Sequence, residues 1–286
     1  MTTRINFNGD IRDTLSISVF DHGFLFGDSV YEVICTRNDR PCFMKRHLQR
    51  LRKSAAEISL AIPWSDERFE QEIRRTLKAA NNTESSIRIV VTRGEGEIDI
   101  DPTSCGTPNV LIFVVPARIY PPEDYRSGIH VAVVRIKRNL AEALNPAIKT
   151  GNYLNNVLAK IEANKLNAKD ALMLNNSGFL TECTTSNFFF VREDRVKTAS
   201  PDCGILSGIT REILMQLARE SGILVEEGHW LPEELETAEE AFVSGTLRKV
   251  MPVTRLNGKA VGDGKPGPIT RRLMRLYESA LEKGVN

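Results

Sequence analysis

The residues best suited to chemistry lie in one run, 180–211, which reads LTECTTSNFFFVREDRVKTASPDCGILSGITR. Glu182 falls near a strand, and Gly208-Ile209-Thr210 opens an amphipathic helix. The first turn of a helix has backbone N–H groups with no acceptor inside the helix. A start preceded by glycine and carrying a threonine hydroxyl is therefore a natural seat for an anion such as phosphate. A plainer use of the same residues is capping, with Ser207 or Thr210 closing the helix start. By themselves, Glu182 is a strand-end carboxylate and Lys149, in KTGNYLNN, is a lysine ahead of a helix, which is usually a solvated charge. Arg138, beside Lys137 at a strand end, reads equally as structural.

These groups need elements to hold them. Residues 29–46, SVYEVICTRNDRPCFMKR, read as two strands about an Asn-Asp turn, and Leu48, Leu51, Ala55 and Ile58 follow at helical spacing over 45–60. A second amphipathic helix is expected over 66–80, then strands over 86–93 and 109–116. Pro116, Pro121 and Pro122, with the polar DYRSG stretch behind them, interrupt the pattern. This places a connector at 117–127, between a small α/β domain (1–116) and a larger one (128–286). In the second, strands over 129–136, 170–174, 187–192, 195–198, 240–245 and 250–256 mix with helices over 153–166, 209–221 and 268–283. Such an α/β mixture without strict β-α-β alternation predicts a barrel-like sheet with helices outside it, not a doubly wound sheet. No GxGxxG follows a strand, so a dinucleotide site has no support.

Composition narrows the partners. A chain of 286 residues, 41% hydrophobic, can bury a large core. With a net charge of +1 and both signs interspersed, no face is expected to neutralise nucleic acid or an anionic bilayer, and small molecules are the expected partners. The segment MTTRINFNGD lacks the apolar core of a secretory signal, and no stretch approaches the roughly 18 apolar residues of a membrane span, so a cytoplasmic location is expected. The five cysteines are odd in number and form no CxxC pair, which favours reduced thiols over a disulfide framework or a zinc cluster. No metal site is expected.

The run 180–211 resembles, along its whole length, the signature of the class-IV aminotransferases: Glu182, Asn187, Phe188, Phe189, then Val196-x-Thr198 and Leu206-x-Gly208-Ile209-x-Arg211. HLQRL at 47–51, KTGNYLNN at 149–156 and SGT at 244–246 follow the family's order. The resemblance implies fold type IV, pyridoxal-5′-phosphate (PLP) as cofactor, and Lys149 as the Schiff-base lysine that also shuttles the substrate α-proton. It makes Glu182 the partner of the pyridine nitrogen and Arg50 a phosphate-binding arginine, whose planar fork suits that anion. Arg46 and Arg52 are then solvent-facing. Tyr153 resembles the tyrosine that bonds the cofactor's phenolic oxygen, Leu206 packs on the ring, and Gly208, Ile209 and Thr210 with Thr246 form the phosphate cup. Arg138 resembles an arginine that some members keep near the lysine. At least a homodimer is also implied.

Substrate cues point two ways. TRGEGEIDIDP at 92–102 and the tail GDGKPGPITRRLM resemble prokaryotic branched-chain aminotransferases, whereas SVYEVI resembles D-amino-acid aminotransferases. The latter trap the α-carboxylate with an Arg-x-His pair on the 92–102 loop, and Ile98 and Ile100 stand there instead. Where the branched-chain group has a Thr-Ala pair, this chain has Thr246-Leu247 followed by Arg248 and Lys249, so Arg248 is expected to clamp the carboxylate. Tyr31 and Phe26 are expected to wall the side-chain pocket. The expected reaction passes an amino group between a small or medium apolar amino acid, branched-chain L-amino acids foremost, and a 2-oxo acid such as 2-oxoglutarate or pyruvate. The alternatives are a D-amino-acid or (R)-amine transaminase and an aminodeoxychorismate-type lyase.

Overall fold

Strand alternation and two helix-period stretches build the first of two units in the computed structural model, which describes residues 2–283. This unit takes the chain up to Arg118, the segment Ile148–Asn152, and the end of the last helix from Leu281. Its strands are β1 (Arg4–Phe7), β2 (Asp10–Arg12), β3 (Ser29–Arg37), β4 (Arg40–Pro41), β5 (Ser85–Thr92) and β6 (Asn109–Pro116), and its helices α1 (His22–Leu25), α2 (Met44–Glu57) and α3 (Asp66–Ala80). They make an antiparallel sheet in the order β2-β1-β6-β5-β3-β4. The β3–β4 turn holds Asn38 and Asp39 at φ 51° and 58°, the left-handed pair that a two-residue hairpin turn needs and these residue types tolerate.

Period two sorts this sheet into two faces. Val30 and Ile34 of β3, Ile87, Ile89 and Val91 of β5, and Val110, Ile112 and Val114 of β6 form one buried cluster with Leu48 and Leu51 of α2 and Phe69 and Ile73 of α3. Glu32 has the same parity as Val30 and Ile34, so it points toward the helices. Tyr31 and Arg88 have the other parity and project from the opposite face.

The second unit comprises Ile119–Ala147 and Tyr153–Ala280. Its elements are α4 (Pro122–Arg126), β7 (Ile129–Lys137), α5 (Ala141–Leu144), α6 (Leu154–Lys165), β8 (Asp170–Leu174), β9 (Leu180–Cys183), β10 (Asn187–Arg192), β11 (Arg195–Ala199), α7 (Ile209–Glu220), β12 (Val225–Gly228), β13 (Glu240–Gly245), β14 (Lys249–Leu256), β15 (Lys259–Ala260) and α8 (Pro268–Lys283). Strands run β10-β13-β14-β7-β8-β9, and β9 returns to β10 through the pair Glu182 and Asn187, which closes a six-stranded barrel. β11 and β12 extend the sheet from β10, and β15 pairs with β14. Alternate residues of all six strands, among them Val131, Leu172, Leu180, Phe188, Val243 and Met251, pack as one core. On the other face of β7 and β8, Ala159 and Ala163 bring α6 close to Ala132, Ala171 and Met173.

The mixed α/β fold with a barrel-like sheet is thus the observed one. The strands β1, β2, β9 and β12 escaped the sequence reading because each is only three or four residues long with little alternation. The proline-rich connector holds a helical turn, α4, with Asp124 buried. Ile148–Asn152, which a contiguous division puts in the second domain, clusters with the first unit. Tyr31 donates its N–H to the Lys149 carbonyl at 3.0 Å, Gly151 donates to the Ser29 carbonyl at 2.8 Å, and Val30 bridges Thr150. Only glycine fits at 151, since a Cβ there would lie 2.3 Å from Ser29 Oγ. No helix among the described residues is long and apolar enough to cross a membrane.

Candidate active site

In the first unit, β3 positions Lys149 through its backbone. The lysine carbonyl accepts from Tyr31, and its N–H donates to Ser54 Oγ of α2 at 3.1 Å. This leaves the side chain against the open face of the sheet, where Nζ lies 4.5 Å from the Tyr31 ring centroid. The Arg88 guanidinium lies 4.0 Å from the same centroid. A buried tyrosine with two cations at its ring is a polar, cation-rich wall beside the amine, of the kind that recognises a carboxylate. Phe26 is 38% exposed and sits edge-on to His22.

Behind this face, the Glu32 carboxylate is fully buried and bonded twice by Arg50, Nε to Oε1 at 2.6 Å and Nη2 to Oε2 at 2.9 Å. His47 Nδ1 approaches Oε2 at 2.7 Å. Burial pushes the Glu32 carboxyl up, but the Arg50 charge and His47 outweigh it and hold it at about 2. Burial pulls His47 down further than Glu32 pulls it up, so the imidazole is neutral and donates to an ionised Glu32. Arg50 therefore gives two donors to Glu32, which fixes its plane. Arg46 is exposed, whereas Arg52 is half-buried, paired with Asp66 at 2.6 Å and donating to the Trp64 carbonyl.

In the second unit, Asn187 is the hub. Its pairing places Glu182 on one side and Ser244 on the other, and its amide donates to Glu182 Oε2 at 3.2 Å and to the Leu206 carbonyl at 2.8 Å. The Leu206 N–H also donates to Glu182 Oε2 at 3.1 Å, while Arg138 gives Nε at 3.1 Å and Nη2 at 3.0 Å to Oε1. Glu182 is thus a buried, fully gripped carboxylate, not an exposed strand end. Arg138, itself buried, also donates to Asn155 Oδ1. Gly208 precedes α7 because a Cβ there would come within 2.1 Å of Asn187 Oδ1.

The first turn of α7 opens at Ile209 and Thr210, whose N–H groups have no acceptor within the helix. The Thr210 hydroxyl meets the Tyr277 hydroxyl of α8 at 3.2 Å, and when Tyr277 is the donor Thr210 offers an anion its O–H as well as its backbone N–H. Ser244 Oγ, next to the same hub, is buried with no hydrogen-bond partner. Tyr153 is half-buried at the N-terminus of α6. Thr246 and Leu247 lie in the half-buried turn between β13 and β14.

Arg248 is paired with a buried carboxylate of its own unit. Its Nη1 is bonded to Asp170 Oδ2, a carboxylate with no exposure, and its carbonyl accepts from Tyr125 at 3.2 Å. Burial works against the charge, but Asp170 overrides it and, with Tyr120, drives the guanidinium pKa well above its usual value. Asp170 in turn accepts from Thr184 Oγ1 at 2.5 Å and from the N–H groups of Ala171 and Thr184. Arg248 holds this turn through Nη1, and its buried Nε has no hydrogen-bond partner. Lys249 is likewise paired, with Glu278 at 2.7 Å.

Sequence reasoning missed Arg88, Glu32, His47 and Asp170. Glu32 had a legible signal, a carboxylate at the helix-facing parity of an apolar strand, whereas Arg88 needs the β3–β5 register.

Comparison with known proteins assigns the class. The family model for class IV amino-transferases matches residues 29–256, and the chain belongs to that family. It is 36% identical over 282 residues to a Methanocaldococcus jannaschii protein assigned as a branched-chain-amino-acid aminotransferase, covering 98% of this chain and 97% of that one. It is 30% identical to a D-alanine aminotransferase of Bacillus licheniformis, covering 97% of each. The crystal structure of the Escherichia coli branched-chain amino acid aminotransferase superposes with a TM-score of 0.94 at 28% identity, over 98% of this chain and 95% of that one. The protein is an aminotransferase, and the cofactor of its class is PLP.

Proposed function

We propose that the protein moves an amino group between a small or medium apolar amino acid, branched-chain L-amino acids foremost, and a 2-oxo acid such as 2-oxoglutarate or pyruvate. The observation that carries this reading is the Lys149 amine, held by its backbone against the Tyr31 ring. The cofactor fits the residues present: a buried carboxylate at Glu182, an orphaned hydroxyl at Ser244, and an open helix start behind a glycine that could not carry a Cβ. When bound, PLP supplies an electron sink for the charge left on the substrate carbon as its proton departs.

The protein's own groups do the rest. Lys149 Nζ holds the cofactor covalently and takes and returns the α-proton. Glu182 would partner the pyridine nitrogen of a bound cofactor, where its charge would favour the protonated form. Four donors already grip its two oxygens, so Arg138 or Asn187 must share an acceptor when that N–H arrives. The backbone N–H groups of Ile209 and Thr210, with Ser244 and Thr246, take the phosphate, and Arg50, fixed by Glu32, adds positive charge. Tyr153 would hold the cofactor's phenolic oxygen, and Leu206 would pack on its ring. Tyr31 walls the substrate side with Arg88, whose cation suits a distal carboxylate such as that of 2-oxoglutarate. Phe26 in the first unit and Leu247 in the second are further apolar residues assigned to the substrate.

Transamination of D-amino acids is the second reading, supported by the D-alanine aminotransferase relatives. The half-reaction decides between the two: a yellow preparation is mixed with L-leucine, D-alanine or D-glutamate, and bleaching is followed, then recovery with a 2-oxo acid. Bleaching by L-leucine at least tenfold faster than by either D-amino acid upholds the proposal, and the reverse order refutes the branched-chain preference. Repeated turnover of aminodeoxychorismate to pyruvate and an aromatic amine, with no 2-oxo acid supplied, would mark a lyase instead.

A homodimer is part of the proposal, supported by apolar side chains exposed in each unit: Phe24, Ile98 and Ile100 in the first, Leu154, Val157 and Ile161 along α6 in the second. So is a cytoplasmic location, for which five free thiols speak. Neither nucleic acid nor membrane is proposed as a partner.

A further inference from the structure

Beyond the groups assigned to transamination, one cluster combines three different donor types. β11 and β12 are parallel neighbours that end together, Ala199 beside Gly228. The residues that follow therefore leave the sheet side by side: Ser200 enters a short 3-10 turn, Pro201–Cys203, closed by Gly204 in the left-handed region at φ 88°, while His229 follows Gly228 directly. This brings the Asp202 carboxylate, the Cys203 sulfur and the His229 imidazole into one group whose donor atoms all lie within 4.8 Å of one another. His229 Nε2 and Asp202 Oδ2 are 2.9 Å apart. Cys203 is buried, with its sulfur 3.6 Å from Ser200 Oγ and from the Gly228 carbonyl. The His229 ring is held edge-on by Phe179 at 5.1 Å.

We propose that Asp202, Cys203 and His229 form a binding site for a zinc-class divalent cation. One sulfur, one nitrogen and one oxygen are the ligands that zinc accepts in tetrahedral geometry, whereas calcium and magnesium require oxygen alone. Zinc bonds of about 2.0–2.3 Å place tetrahedral ligand atoms roughly 3–4 Å apart, so shifts of less than about 1 Å convert the present arrangement into a coordinated one. The fourth position opens to solvent, because Asp202 and His229 are largely exposed. Ser200 Oγ, bonded to Asp202 Oδ1, orients that carboxylate. Binding releases the Cys203 proton to solvent, since the thiolate is the ligand. Cysteine spacing gives no hint of this site, since the histidine arrives from a separate strand.

The consequence reaches the cofactor residues through a short stretch of chain. Cys203 is followed within three residues by Leu206, whose N–H grips Glu182, so a cation here ties down the segment leading to the α7 start.

The test is titration of the PLP-loaded protein with zinc chloride in phosphate-free, thiol-free buffer, read by calorimetry and by metal content after gel filtration. One equivalent per chain is expected, together with a rise in melting temperature that tracks zinc concentration. Outer partners of a metal site are worth about 10–100-fold in affinity, so loss of a direct ligand must weaken binding at least about tenfold. That loss is expected in His229→Ala, Asp202→Asn and Cys203→Ser. The first two alter exposed side chains and leave the fold intact, so they decide the matter even where Cys203→Ser does not fold. Absence of stoichiometric zinc in the parent protein, or unchanged binding in His229→Ala or Asp202→Asn, overturns the proposal.

Discussion

Replacing Arg248 by methionine separates two roles for this residue, a strut for its turn and a clamp for the substrate. Asp170 has no exposure, and the cation bonded to it is Arg248. Removing that cation while keeping an apolar stem of similar length leaves a buried carboxylate with only neutral donors, from Thr184 and Ala171 and, at 3.4 Å, from Ser186. Breaking a buried pair costs about 3–5 kcal/mol. Because these donors still solvate the carboxylate, the lower end applies, about 3 kcal/mol. At roughly 2–4 °C per kcal/mol for a unit of this size, melting falls by about 6–12 °C. Asp170→Asn in the same background removes the stranded charge and recovers most of the loss, a coupling of about 2 kcal/mol. The assay is calorimetric melting of the four members of the cycle, with the KM for L-leucine measured on each. A strut predicts that KM and melting temperature worsen together in Arg248→Met and recover together in the double variant. A melting temperature unchanged in Arg248→Met, or a KM that stays raised tenfold in the stable double variant, refutes the reasoning and restores the clamp.

Lys149→Ala is expected to abolish turnover and the yellow colour of the PLP-loaded protein; retained colour with a borohydride-reducible label on another lysine would transfer the role. Glu182→Gln exchanges a charge-assisted hydrogen bond for a neutral one, worth about 1.5–3 kcal/mol. Half-reaction rates should therefore fall roughly ten- to a hundred-fold with PLP affinity little changed, and an unchanged rate places the function elsewhere. Glu32 sits at about 2 in the folded protein against 4.5 unfolded, so it contributes about 3 kcal/mol above pH 4.5 that is lost as pH falls toward 2. His47, held below its ordinary 6.5 by burial, adds a loss that begins as pH drops under 6.5, where the unfolded chain takes up the proton. Urea midpoints against pH should show both losses. Glu32→Gln should remove the lower one, and a parent protein equally stable at pH 3 and pH 7 would contradict the assignment.

What the sequence makes legible depends on whether a side chain acts along its own element or across elements. α3 is readable residue by residue because everything that fixes it is local: Ser65 accepts from Arg68, Phe69, Ile73, Leu77 and Ala80 keep helical spacing, and Asn81 ends it in the left-handed region. β3 is readable as a strand by its alternation, and that alternation already separates Glu32 from Tyr31. The partners are another matter. Glu32 needs α2, Tyr31 needs both β5 and a segment more than a hundred residues away, and that segment attaches through backbone groups, which carry no signal in residue type. For the same reason a contiguous division of the chain misplaces Ile148–Asn152.

Arg248 has a partner that proximity along the chain does not reveal. It stands next to Thr246-Leu247, so a cation there reads as substrate-facing, yet Asp170 lies 78 residues earlier on β8 and the two meet only because the barrel brings β8 and the β13–β14 turn together. A buried carboxylate with no exposure draws a cation, and Arg248 gives it Nη1 while its own buried Nε stays without a hydrogen-bond partner. The cation that remains beside the Lys149 amine is Arg88, on the β5 face that period two turns away from the helices. The carboxylate recognition proposed for the first unit therefore depends on the strand pairing of β3 with β5, which places Arg88 diagonally from Tyr31, and a shift of one residue in that pairing would send the guanidinium into the helix-covered core.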